Sequence, residues 1–291
     1  MSWRTIVIAS NAKLDYQLGY LVVRGRETTR IQLSEIGTVV VESTAVSMTA
    51  YLLSELVKHK INVIFCDEKR NPLSTLQGFY GSHDTSAKVR KQISWKAPVK
   101  MQIWTEIVIE KIRKQAEVLE KYNLTKSACL LKQYIQEMQL GDATNREGHA
   151  AKVYFNALFG KGFSRSIDCP ENAALNYGYT LILSSICREI VSNGYMTQIG
   201  LCHDNMFNPY NLGSDIMEPF RPLVDRRVLE TAPEKFETEE KHQMIGLFTE
   251  TVKVGQRQEF VSNAIKIYVK SVFDAMNEND ASLIKFYQNE L

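Results

Sequence analysis

Apolar residues follow two rhythms along this 291-residue chain, and the change from one to the other divides it. Up to about Gly81 the pattern is that of short strands. Thr5–Ala9, Gln17–Arg24, Thr29–Leu33 and Gly37–Glu42 are rich in Val, Ile, Leu and Thr, residues that suit a pleated, half-buried surface. Gly25 falls between two of these runs, where a hairpin turn fits. One helix interrupts the strands: with Ser43 or Thr44 as N-cap, Met48, Leu52, Leu53, Leu56 and Val57 recur at helical spacing up to His59. A further strand, Asn62–Cys66, follows.

Beyond His83 the period becomes about 3.6. It predicts helices over Lys100–Lys121, Thr125–Gln139, Asn145–Phe159, Pro170–Asn193, Arg221–Glu230, Lys241–Val254 and Gln258–Asn277. The expected fold class is therefore α+β: a β-rich N-terminal domain with one helix over residues 1–82, then a larger, nearly all-helical domain over 83–291. Gly81, Ser82, Asp84 and Ser86 cluster as loop residues at the boundary, Tyr80–Ser86.

Composition narrows the class without naming a function. Apolar residues make up 44% and charged residues 23%, the profile of an ordinary globular protein. No run of ~18 apolar residues suggests a membrane span, and MSWRTIVIAS lacks the apolar stretch of a signal peptide, so the cytoplasm is the expected compartment. Five cysteines with no CxxC pair argue against a disulfide framework and read as buried thiols. A net charge of +2 says little about a nucleic-acid partner. Its distribution says more: Lys88, Arg90, Lys91, Lys96 and Lys100 follow one another with no acid among them, either a phosphate-contacting stripe or a solvated face. Trp95, inside that stretch, reads as a base-stacking ring or as an anchor between domains.

Three segments concentrate acid, base and metal-ligating chemistry: Asn145–Ala151, Leu201–Asn205 and Ser214–Pro222. Glu147 stands three residues after Thr144, which fits a capping box, while Gly148, Ala150 and Ala151 keep bulk away from its carboxylate. Asp215 and Glu218 fit a second capping box, and on a helix they would share one face. His203 reads either as a hydrogen-bonded loop residue or as a ligand, and His149 as helix surface. Two carboxylates with one imidazole suit Mg²⁺ or Mn²⁺ better than structural Zn²⁺, and a hard cation points toward phosphate chemistry.

Four separated stretches, REGHAAKVYFNALFG (Arg146–Gly160), CPENAALNYGYTLI (Cys169–Ile182), IGLCHDN (Ile199–Asn205) and SDIMEPFRPLVD (Ser214–Asp225), resemble the CRISPR-associated protein one family, and its type II branch in particular. The resemblance spans essentially the whole chain. It implies a metal-dependent DNA integrase or endonuclease that inserts captured DNA segments into a CRISPR array, with catalysis in the helical domain and dimer contacts in the β-rich one. It also implies that Glu147, His203 and Glu218 ligate one Mg²⁺ or Mn²⁺ ion. Many relatives have aspartate where this chain has Glu218, which leaves Asp215 as an auxiliary acid candidate. Arg146, Lys161, Arg165 and Arg221 become candidate phosphate clamps beside Lys88, Arg90 and Lys91, their alternative being plain surface charge. The implied partners are prespacer and repeat DNA, a second copy of the chain and the small second adaptation subunit, with the effector nuclease and a ring-shaped accessory protein as further type II contacts. The alternatives to an integrase are a general metal-dependent nuclease for branched DNA and a non-catalytic DNA-end-binding scaffold.

Overall fold

The computed structural model describes residues 4–79 and 81–289. The chain opens with β1 (Arg4–Ile8), β2 (Ala12–Gln17), β3 (Tyr20–Arg24), β4 (Thr28–Gln32), β5 (Ile36–Val41) and β6 (Val46–Met48), then α1 (Ala50–Lys58), β7 (Asn62–Cys66) and β8 (Pro72–Thr75). The expected strand Gln17–Arg24 is instead the second half of a tight hairpin. Leu18 and Gly19 take φ of 47° and 86°, and Gln17 pairs with Tyr20. Positive φ at both central positions gives the turn whose twist matches the flanking strands. The helix starts later than expected: the Thr49 hydroxyl accepts the Leu52 N–H at 3.2 Å, because Val46–Met48 first adds to β2 as a parallel strand.

These strands form two four-stranded sheets, ordered β1-β5-β7-β8 and β4-β3-β2-β6. Strands β5 and β7 are parallel neighbours buried on both faces, so their alternating side chains serve two cores. Val39, Val41 and Val63 face the second sheet and α1, while Val40, Ile64 and Cys66 join the core of the helical region. Apolar packing therefore runs across the expected domain boundary. Of that boundary, Tyr80 lies outside the described residues.

The helical region comprises α2 (Thr85–Ile93), α3 (Ala97–Lys121), α4 (Thr125–Gln136), α5 (Arg146–Phe159), α6 (Pro170–Ser192), α7 (Asn211–Ile216), α8 (Arg221–Thr231) and α9 (Thr238–Ile245). It closes with β9 (Thr251–Val254), β10 (Arg257–Phe260), α10 (Val261–Glu278) and β11 (Tyr287–Gln288). The expected helix over Lys241–Val254 ends at Ile245, and the one expected from Gln258 begins at Val261. Between them Thr251–Val254 alternates exposed and buried positions, and Gly255 at φ 61° turns the chain into β10. A strand period won over the helical one there. Helix α2, inside the basic stretch, and α7 carry no expected counterpart. Among the described residues no helix is long and apolar enough to cross a membrane.

All five cysteines are free, but Cys129 and Cys202 are exposed, which corrects the reading of buried thiols. Cys66 and Cys187 are buried, and burial pushes both thiols up to about 12.

Candidate active site

Helix α5 delivers Glu147, and its start is not the capping box that Thr144 and Glu147 suggested. Asn145, in the left-handed region at φ 52°, accepts the Gly148 N–H on its side chain at 3.2 Å. The Asp142 carboxylate accepts the N–H groups of Arg146 at 2.6 Å and Glu147 at 3.0 Å. A Cβ on residue 148 would lie 2.8 Å from Asn145 Oδ1, so the glycine makes room for the cap. With its helix start capped by others, the Glu147 carboxylate is available elsewhere: Lys111 Nζ donates to its Oε1 at 2.6 Å. His149 lies on the exposed side of the same helix.

His203 sits on a loop anchored from both sides. Buried Gln92 on α2 donates to the carbonyls of Met196 and Ile199 at 2.9 and 3.0 Å, and accepts the Met196 N–H. From α7, the fully buried Asp215 accepts the backbone N–H groups of Leu201 at 2.6 Å and of Cys202 and His203 at 3.1 Å. Gly200 permits this: a Cβ there would lie 2.3 Å from the His203 carbonyl oxygen and 2.7 Å from Asp215 Oδ2. The same carboxylate takes the His203 ring at Nδ1, and Nε2 has no hydrogen-bond partner among the described residues. The bond to Asp215 raises the His203 pKa above its ordinary value; burial opposes the rise, and the charges of Asp215, Glu218 and Glu147 add to it. Trp104 packs edge-on against the ring, with centroids 5.8 Å apart.

Glu218 follows α7 directly, at the head of a short 3₁₀ turn formed with Pro219 and Phe220. It is buried, and its two oxygens meet different cations: Arg221 Nε at 2.8 Å on Oε1, and Lys111 on Oε2. Burial alone would raise its pKa, but the charges of Lys111 and then Arg221 outweigh it and hold the carboxyl below its ordinary value. Arg221 is in turn stacked on the Tyr179 ring, 4.7 Å from the centroid.

Lys111, which links Glu147 to Glu218, was not among the expected site residues. Its signal was a charged residue on the buried stripe of a long helix, next to Ile107, Val108 and Ile112. Burial opposes its charge, yet Glu218 and Glu147 together raise its pKa. As they stand, the described residues gather no three His, Cys, Asp or Glu groups tightly enough to hold a metal ion. The two carboxylates already hold a cation between them, and an imidazole with one free nitrogen lies within their field. This donor set fits a hard divalent ion.

The candidate phosphate clamps divide into tied and open groups. Arg146 pairs with Glu137 at 2.7 Å and stacks on Tyr134; Arg165 bonds Asn172 and Asn176 and lies over Tyr179. Lys88 pairs with Asp84 at 3.1 Å. Arg90, Lys91 and Lys161 are exposed. Trp95 is half-buried and packs against Tyr195 and Phe273 of the helical region, ring centroids 5.6 and 6.3 Å away.

The family model described as "CRISPR associated protein Cas1" matches residues 5–253. A CRISPR-associated endonuclease Cas1 of Neisseria meningitidis serogroup C (strain 8013) is 34% identical over 230 residues, which is 79% of this chain and 76% of that protein. One from Pyrobaculum aerophilum is 25% identical over 238 residues, 76% of this chain and 79% of its own. Among solved structures, a casposase bound to its integration product superimposes with a TM-score of 0.76 at 17% identity, covering 97% of this chain and 93% of that one. A Cas1 protein from Thermotoga maritima gives 0.73 at 18%, covering 94% and 97%. At such identities these likenesses establish the fold, and they agree with the α+β expectation.

Proposed function

This chain belongs to the Cas1 family of CRISPR-associated proteins, and from that premise we propose that it is the DNA-joining enzyme of spacer acquisition, dependent on Mg²⁺ or Mn²⁺. The observation that carries the reading is the cation held between Glu147 and Glu218, beside an imidazole aimed by a buried carboxylate. Glu147, Glu218 and Nε2 of His203 are the atoms that would hold the ion. A bound divalent ion neutralises charge at a phosphate and lowers the pKa of the attacking hydroxyl. The protein's own groups do the rest. Asp215 fixes the tautomer and direction of His203, Arg221 holds Glu218 in place, and the exposed Arg90, Lys91 and Lys161 engage DNA phosphates.

In this reaction a DNA 3′-hydroxyl oxygen bonds to a backbone phosphorus at the edge of a repeat, and the old bond to the 3′-oxygen breaks. The hydroxyl proton leaves to solvent and the departing 3′-oxygen gains one, so one phosphodiester replaces another and no nucleotide cofactor is required. The assignment to the type II branch, the dimer formed through the β-rich part, and a small second adaptation subunit belong to the same proposal. A protein of the same fold, 21% identical, has been solved within a Cas6-RT-Cas1–Cas2 complex.

The second reading is hydrolysis, with water as nucleophile, favoured by the endonuclease names of the relatives. One assay separates the two: a 3′-hydroxyl duplex, a repeat-bearing supercoiled plasmid, the partner subunit and Mn²⁺. Covalent joining of duplex to plasmid is expected. Nicking without joining would favour hydrolysis, and DNA binding with neither would leave a scaffold.

A further inference from the structure

We propose that Lys111 is a tethered counter-cation, which holds the two carboxylates of this site together before a divalent ion arrives and surrenders them when it does. The inference rests on the metal-dependent reading above. Lys111 comes from the middle of α3, while Glu147 and Glu218 come from α5 and the turn after α7; the one ammonium joins three separate segments. Its side chain is 9% exposed and that of Glu218 only 4%. Glu147 is 24% exposed, at the edge of the interior; two carboxylates brought this close there repel one another, and a buried charge without a partner is costly. An apolar residue at 111 would leave only Arg221, on the far oxygen of Glu218, to offset that repulsion.

The arrangement is lopsided. Arg221 also holds Glu218, on its other oxygen, whereas Glu147 is bonded to Lys111. A divalent ion entering between the same carboxylates must displace the ammonium, whose flexible four-carbon stem allows it to withdraw. The free energy of breaking the lysine bridge is thereby subtracted from ion binding. Lys111 is a positioning residue: it stabilises the empty site and weakens the affinity of the loaded one.

Mn²⁺ binding by calorimetry and thermal unfolding with and without Mn²⁺ test this on the full chain. Lys111→Met should lower Tm without metal, bind Mn²⁺ at least ~10-fold more tightly and gain more Tm from it, since the ammonium no longer competes. Lys111→Arg, which keeps the charge, should bind Mn²⁺ like the native chain. The double variant Lys111→Met with Glu147→Gln removes one charge of each sign, and should recover most of the Tm lost by Lys111→Met alone. Equal or weaker Mn²⁺ binding by Lys111→Met overturns the proposal. So does a double variant no more stable than the single one, which also decides the matter if Lys111→Met does not fold without metal. Glu147→Gln and Glu218→Gln probe the underlying reading separately: if neither weakens Mn²⁺ binding by the native chain, the metal site is misplaced whatever Lys111 does.

Discussion

Asp215 and His203 are joined twice, since Asp215 Oδ1 accepts the backbone N–H of His203 at 3.1 Å and also meets Nδ1 of its ring. One buried carboxylate thus sets both the path of the loop and the direction of the imidazole. Asp215→Asn should lower strand joining by ~10–100-fold, the usual effect of losing a partner that orients a ligating histidine. Asp215→Ala should also destabilise the fold by roughly 3 kcal/mol or more, because three backbone N–H groups lose their acceptor. Urea unfolding alongside the joining assay checks both. Native stability in the alanine variant would mean that the loop re-forms its bonds without residue 215.

Glu147→Gln, Glu218→Gln and His203→Ala should each lose more strand joining than the ~10–100-fold expected of an orienting residue, and Glu218→Gln should also destabilise the fold, because Lys111 and Arg221 lose a buried carboxylate. Glutamine preserves volume, and at 147 its carbonyl can still accept from Lys111. Circular dichroism and strand transfer in Mn²⁺ measure the two sides. A Glu218→Gln enzyme retaining full activity would remove that residue from the proposed ligands.

Reversal of Arg90 and Lys91 to glutamate should weaken binding to unrelated duplexes about equally. Every phosphate left without its cation flattens the slope of log K against log salt by ~0.9. Lys88→Ala should change the slope less, because Asp84 already holds its ammonium at 3.1 Å. Titration at several salt concentrations reads the slope; no change for the double reversal would assign this face of α2 to solvent.

Asp225 supplies a pH signature of the fold. Burial pushes its carboxyl up to about 6 from an ordinary 3.8, even though the Tyr179 hydroxyl bonds it and lowers it in part. A raised carboxyl favours the folded state while it stays protonated. That contribution is complete below 3.8 and is lost as pH rises through about 6. The stability of the native chain relative to Asp225→Asn should fall over that interval by up to roughly 3 kcal/mol. Unfolding of both proteins across the interval tests it; a constant difference would show that Asp225 titrates alike in the folded and unfolded chain.

The sequence alone carried the switch from strand to helix period and the positions of the chemical side chains, because side-chain type and spacing are local properties. Glu147, His203, Asp215 and Glu218 could be singled out from motif and residue type, and most helices end within a few residues of their expected bounds. Which job each carboxylate takes was decided by tertiary structure. Thr144 and Glu147 have the spacing of a cap, yet Asp142 and Asn145 reach the helix start first and leave Glu147 to a lysine 36 residues away. Asp215 and Glu218 are equivalent on paper, but one is enclosed by three N–H groups and a ring, and the other by two cations. Lys111 could be read only as a charge on a buried stripe until the fold supplied the acids around it. Partners distant in sequence and the cost of leaving a charge unpaired in the interior fix such roles, and neither is written in local spacing.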